Sequence, residues 1–370
     1  MRIGVLVINF GEPAEPTLET ITPFLERIFL QNASLENHLD EAFLARARKL
    51  AMDRAPGLLE EYQAIGGSPL NAQSDEQARL LHEALEGGGW DVHTYSVFQF
   101  TDPFVAEGVA RAREDGVELL VGLPVYPMCG HSTNVAALDD VRRAMDEMGW
   151  DIPFVGLSGW HSDPDYLAMR VDHIRGFVEA NGLDLRDPDT LLYFSAHGTP
   201  IKYLRVGNRY DRYVEEHCRD IAEALGADRH AVGFQNHTNR RILWTQPDNE
   251  PLIESLTETN LVVDAVSFIH EQSETLAELD HELNEFIEEQ GKTLYRVPVP
   301  HDDPRFIGVL SRLVRSAVEI HGGGATALTP CRCSPGSWCT NGARDLPPSP
   351  FISPDAEAAE AESGGRPHGA

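Results

Sequence analysis

Basic side chains are scarce in this 370-residue chain: 30 lysines and arginines stand against 59 aspartates and glutamates, a formal net charge of −29. The last thirty residues hold only five acids and two bases, so the imbalance belongs to the body of the chain. Nucleic acid and anionic lipid are bound through a basic footprint, which this composition argues against. Membrane contact is expected to be at most peripheral, at the apolar stretch ITPFLERIFL. Long apolar runs are missing too, and no window approaches the roughly 18 consecutive apolar residues of a spanning helix. The opening MRIGVLVINFGEP has a short apolar run and no small-residue cleavage site, which suits a buried strand better than a signal peptide and points to the cytoplasm. Five cysteines are too few and too unevenly placed for a disulfide framework. No G-x-G-x-x-G follows the first apolar run and no P-loop occurs, so no nucleotide cofactor is expected.

What the chain does have is alternation. RIGVLVINF, VHTYSVFQF, VELLVGLPVYP and IPFVGLSG in the first half, and TLLYFSAH, HAVGFQN, NLVVDAVSFI and TLYRVPVP in the second, read as buried strands. Amphipathic stretches such as SDEQARLLHEALE and YLAMRVDHIRGFVEAN lie between them. Such alternation predicts an α/β protein with two similar doubly wound domains, each with a parallel four-stranded sheet. The expected division is 1–158 and 159–321, with the last helix able to pack back on the first domain, then a Cys-containing extension over 322–342 and a structureless tail over 343–370. In each half a first strand ends in a Gly-containing turn, NFGEP or SAHGTP, and a later one in a polar loop, VYPMCGHSTN or SFIHEQSETL. Open parallel sheets bind ligands at such carboxyl ends.

Two constellations carry chemistry. His197 stands where a buried strand breaks into GTP, placed either as a satisfied strand-end histidine or as a base or metal ligand at a cleft. In IHEQSETLAELDHE, Thr275 and Glu278 read as a capping box, which leaves Glu274 just before a helix and Glu271 on the same strand-to-helix junction. Both carboxylates are candidates to receive a divalent cation or relay protons. Glu278, Glu282 and Glu285 read as a solvated helix face.

Taken together, VINFGEP, ITPFLERIF, EEYQAIGGSPL, FSAHGTPIKYLRVGNRYDRYV, the FQN segment with WTQP behind it, and ETLAELDHE resemble the ferrochelatases over about residues 1–320. The resemblance implies two Rossmann-like domains around a porphyrin cleft and insertion of Fe(II), as substrate, into protoporphyrin IX or coproporphyrin III. Within the superfamily, a cobalt or nickel chelatase is the alternative, and outside it a non-catalytic haem- or metal-binding chaperone. By the resemblance His197 is the pyrrole base or metal-face ligand and Glu274 its carboxylate partner, with Glu271 beside them. Phe10, Tyr126 and Trp244 become ring contacts, and Ser68 and Pro69 line the mouth. The sequence departs from its relatives at Gln272, where histidine is frequent, at Gln99, where arginine is frequent, and in the altered FQNHTNRRILW segment.

Cys331, Cys333 and Cys339 form C-x-C-x5-C on a Gly/Pro-rich segment, a spacing that suggests metal before disulfide. Some ferrochelatases hold a [2Fe–2S] cluster on C-terminal cysteines plus one from the loop after the YP strand end, which here contains Cys129. The resemblance therefore implies a four-thiolate cluster site, with zinc or free thiols as alternatives. Cys218 reads as a small core residue.

Overall fold

The computed structural model describes residues 1–31, 41–236, 242–342 and 344–352. The eight expected runs form β1 (Arg2–Asn9), β2 (Asp91–Phe98), β3 (Leu119–Pro124), β4 (Phe154–Leu157), β5 (Thr190–His197), β6 (His230–Gln235), β7 (Asn260–Ala265) and β8 (Thr293–Val297). They build two parallel sheets of the same order, β2-β1-β3-β4 and β6-β5-β7-β8. In β1, Ile3, Val5 and Val7 face the helices Leu70–Leu85 and Pro304–His321, while Leu6 and Ile8 face Val105–Glu114 and Ala136–Glu147. Burial on both faces is why these strands read as continuous apolar runs rather than as alternation.

The first sheet is wider than the four strands expected. β9 (Thr329–Pro330) and β10 (Ser337–Cys339), from the cysteine-bearing extension, continue it past β4. β10 runs parallel to β4, with Ser337 opposite Gly156 and Trp338 opposite Leu157, and β9 closes the edge antiparallel. Helix Pro304–His321 follows β8 in the chain yet packs on the first sheet, inserting Phe306, Leu310, Leu313 and Ala317 among Val5, Leu81 and Leu85. The tail expected to be structureless from 343 is packed over 344–352. Phe351 is buried against Phe234, ring centroids 5.0 Å apart, and its carbonyl accepts a 3.0 Å bond from the Gln246 amide. The rest of the tail lies outside the described residues. Among the described residues no helix is long and apolar enough to cross a membrane.

The chain order reverses direction across each sheet at β1 and β5, the topological switch points of parallel sheets. The loops after β1, β3, β5 and β7 are therefore the ones that can enclose a ligand. The exit of β7 is fixed by a buried ion pair: Arg170, on helix Pro164–Ala180, donates to Asp264 at 2.5 Å and to the Phe268 carbonyl at 3.2 Å. Asp264→Ala leaves the guanidinium buried without its carboxylate, and urea unfolding is expected to show a loss of about 3–5 kcal/mol.

Candidate active site

β5 ends at His197, and β7 leads into the loop that carries Glu274. Because β5 and β7 are neighbours with Ser195 opposite Ala265, the two side chains meet: His197 Nε2 lies 3.4 Å from Glu274 Oε1. His197 Nδ1 lies 2.7 Å from the Gly198 carbonyl, which can only accept, so Nδ1 carries the hydrogen and Nε2 faces the carboxylate. Gly198 is required here, since a Cβ would run into the Asn236 side chain and meet the Gln235 carbonyl at 3.0 Å. The main chain of His197 is held by its amide on Ser267 Oγ at 3.0 Å and by the Tyr210 hydroxyl donating to its carbonyl at 2.9 Å. Burial by itself would depress the imidazole, but the hydrogen bond and charge of Glu274 more than offset it and hold His197 above its ordinary value.

The helix expected to start at Thr275 begins earlier, at Ser273. Gln272 is its cap, and Thr275 accepts the Gln272 amide at 2.9 Å, which releases Glu278 from the capping role assigned to it. Glu282 N then bonds back five residues to Ala277 O at 3.0 Å, a turn wider than α, through the segment Glu278–Leu283. Such wide turns are frequent at functional sites. Glu278 is consequently no solvated-face residue. It is half-buried, accepts from Gln235 Nε2 at 3.1 Å, and is pushed up to about 8 by burial and by the charge of Glu274. Glu61, on helix Glu41–Ile65, is raised by burial and by the charges of Glu282 and Glu274, so a carboxylate of the first half faces those of the second.

Glu271 is a correction. Its Oε1 accepts from Arg296 at 2.6 Å and from the Val299 amide at 2.8 Å, and its Oε2 from Thr275 at 2.7 Å. A carboxylate so occupied braces the loop and is not a metal ligand. His270 is buried beside Gln77 Oε1 at 2.7 Å and driven down to about 3 by burial, so it stays neutral. Gln272, at the position where relatives frequently carry histidine, donates through Nε2 to Glu274. His237 lies outside the described residues.

The expected ring contacts have different surroundings. Phe10 packs at 4.5 Å from Phe100 and 6.1 Å from Phe24. Tyr126 donates to Gln99 Oε1 at 2.7 Å and is kept protonated by burial and by the charge of Glu274. Trp244 lies on a segment that pairs antiparallel with Pro200, just past His197. Pro69 precedes the helix Leu70–Leu85, while Ser68 donates to Glu12, a residue the sequence reading passed over. Glu12 is 4% exposed, and burial raises its carboxyl above the ordinary range. It followed a turn glycine in NFGEP, and nothing in its spacing announced a buried acid.

The cysteines converge as the resemblance implied. The Sγ atoms of Cys129, Cys331 and Cys333 lie within 4.8 Å of one another. Cys339 hydrogen-bonds Cys331, and the bonds from the other three thiols hold Cys331 well below its ordinary value. Cys129 itself, and not the half-buried His131 that stacks on Tyr203 at 4.1 Å, is the residue the YP loop presents to the others. Three clustered sulfurs, with Cys339 beside Cys331, form a soft and largely buried donor set that fits an iron–sulfur cluster or zinc. Cys218 stands apart in the core of the second half.

Glu278 provides a test by linkage. A carboxyl raised in the fold contributes stability that is full below its ordinary 4.5 and is lost as pH rises through about 8. Between pH 5 and pH 9 the wild type is expected to lose on the order of 2 kcal/mol more than Glu278→Gln in urea unfolding. Equal losses would make Glu278 an ordinary surface acid.

Comparison with known proteins shows the family. The family model for ferrochelatase matches residues 2–318. A ferrochelatase of Picosynechococcus sp. is 32% identical over 329 residues, covering 86% of this chain and 83% of that protein. One from Gloeobacter violaceus is 33% identical over 300 residues, covering 78% and 89%. Among solved structures, SirB from Bacillus subtilis with Fe3+ shares the fold at a TM-score of 0.50 and 9% identity, over 87% of this chain and 98% of SirB. The chain belongs to the ferrochelatase family, lyases that insert a metal into a porphyrin in haem biosynthesis.

Proposed function

We propose that the protein inserts Fe(II) into protoporphyrin IX, with His197 and Glu274 as the catalytic pair. The observation that carries this is their 3.4 Å contact at the ends of adjacent strands, in the loops the sheet topology opens to a ligand. Metallation removes two pyrrole protons while iron enters from one face. His197 Nε2 takes a pyrrole proton, and the raised basicity conferred by Glu274 suits it to that at neutral pH. Glu278, mostly protonated near neutrality, is placed to exchange protons with Glu274.

Iron arrives by oxygen ligands, for which Glu61, Glu282, Glu278 and Glu274 offer a succession of carboxylates across the two halves. Phe10, Tyr126 and Trp244 seat the macrocycle, with Ser68 and Pro69 at the rim. Protoporphyrin IX is favoured over coproporphyrin III because Gln99, bonded to Tyr126, is neutral where relatives frequently carry arginine, and a ring with two more propionates would gain more from a cation. Cys129, Cys331, Cys333 and Cys339 would hold a [2Fe–2S] cluster that ties the extension to the YP loop. Such a cluster supplies one-electron chemistry when bound. We place the protein in the cytoplasm, acting on small-molecule substrates.

Anaerobic incubation with Fe(II) and each porphyrin, followed by the metalloporphyrin spectrum, tests the reading. His197→Ala and Glu274→Gln are expected to lower turnover by about 100-fold or more while unfolding normally. No turnover by the wild type with either porphyrin overturns it. The purified protein is expected to be coloured, with iron and sulfide in equal amounts, and Cys331→Ser to be colourless. A colourless wild type that yields zinc on acid release would replace the cluster.

A further inference from the structure

Among the buried acids to which the mechanism above gives no role, Glu12 is the one bonded to the residue next to Glu274. Glu12 sits in the loop after β1 with four donors around its carboxylate. Oε1 accepts from Tyr62 at 2.8 Å and from the Ser273 hydroxyl, and Oε2 accepts from Ser68 and from the Ser273 amide at 3.4 Å. The loop itself is pinned by Asn71, whose side chain accepts the Glu12 amide at 3.0 Å and donates to its carbonyl at 2.7 Å. Two stretches far apart in sequence thus close on one side chain: residues 62–68, from the end of helix Glu41–Ile65 to the turn before helix Leu70–Leu85, and the residue immediately before Glu274.

We infer that Glu12 is a positioning residue for metal insertion, clasping the loop that carries Glu274 to the first half so that the carboxylate stays aligned with His197. The inference rests on the reading of His197 and Glu274 as the catalytic pair. The hydrogen bonds of Glu12 reach the loop through Ser273, the residue next to Glu274, whose charge also acts on the Glu12 carboxyl. A hydrogen-bonded clasp suits this because it fixes direction as well as distance, and misplacement of a reacting group by about 1 Å can cost about 100-fold.

The geometry distinguishes the clasp from the charge. The Ser273 amide can only donate, so it requires an oxygen at the Oε2 position. Tyr62 and Ser273 meet the Oε1 position through hydroxyls, which can also accept. A glutamine therefore satisfies every partner with its oxygen toward the amide and its nitrogen toward the hydroxyls. Alanine satisfies none of them.

Three variants test this by steady-state metallation with the active fraction titrated by porphyrin fluorescence. Glu12→Ala is expected to lower kcat and raise the KM for Fe(II), each by about ten-fold, with porphyrin affinity unchanged. Glu12→Gln is expected to remain within about three-fold of the wild type in both. Ser273→Ala falls between them, and the double variant Glu12→Ala, Ser273→Ala is no worse than Glu12→Ala alone, because both cut the same contact. Wild-type constants in Glu12→Ala, equal impairment of Glu12→Gln and Glu12→Ala, or additive losses would each overturn the clasp. Hydrogen exchange gives a readout that needs no turnover: amides over 271–283 are expected to exchange at least about ten-fold faster in Glu12→Ala and not in Glu12→Gln. An inactive wild type with this exchange pattern would sink the reading of the catalytic pair and leave the clasp standing. Unchanged exchange in an active wild-type background would sink the clasp alone.

Discussion

An imidazole at the end of β5 remains basic against burial chiefly because Glu274 stands 3.4 Å away, and several contacts serve to keep it there. The two residues lie on different loops, so their contact requires β5 and β7 to be neighbours and to end in register. That adjacency is a property of the sheet order, in which the later strand returns beside the first and leaves a crevice between their loops. Arg170 and Asp264 hold the exit of β7, and Tyr210 and Ser267 hold the exit of β5. The charge balance of the site is set by main-chain topology before any single side chain adjusts it.

The same order is repeated in the first half, and there it does different work. The loops after β1 and β3 bring Phe10, Glu12, Tyr126 and Cys129 to the crevice, apolar or hydrogen-bonding groups rather than a base. The second half thus carries the His197–Glu274 pair, while the first contributes Phe10, Tyr126 and one of the clustered thiols, Cys129. The third thiol-bearing element, β10, reaches this region only by joining the edge of the first sheet beside β4. Sheet extension and thiol convergence are one event, since Cys339 ends the added strand and the Cys331 amide bonds Ser337 O at 2.8 Å.

All eight long strands were legible because runs such as VLVIN and TLLYF are apolar over strand length and end at Gly or Pro. β9 and β10 were not, being two and three residues long and stabilised by an edge that only the folded sheet supplies. His197 and Glu274 stood out at strand ends by residue type, but residue type left their roles open, and their pairing came from the resemblance to the ferrochelatases. Glu271 was misread because what occupies it, Arg296, lies 25 residues on and signals nothing locally. Glu278 was misread for a different reason. An i, i+4 series of glutamates looks solvated on an α-helix, whereas the wide turn at Ala277–Glu282 turns it inward toward Gln235. Glu12 was missed because a lone acid in a glycine turn is ordinary until Tyr62, Ser68 and Ser273 arrive around it.

The junction between the halves combines apolar packing, with Ile269 in the core of the first half and Met128 and Val135 in that of the second, with a set of directional polar contacts, and those contacts have a physical consequence. Gln77 donates to the His301 carbonyl at 2.8 Å and accepts from His270 at 2.7 Å, Gln73 accepts the Glu271 amide at 2.9 Å, and Glu12 accepts from Ser273. Apolar packing is non-directional and tolerates small slides between surfaces. Hydrogen bonds weaken steeply once their angle or length departs from the optimum. A loop fastened by several of them has one favoured placement, and the alternatives leave buried polar groups unsatisfied at about 1–3 kcal/mol each. The helix Leu70–Leu85 and the turn at Glu12 therefore act as a template against which the second half's catalytic loop is set. The carboxylate that faces His197 is positioned as much by the first half of the chain as by the second half that carries it.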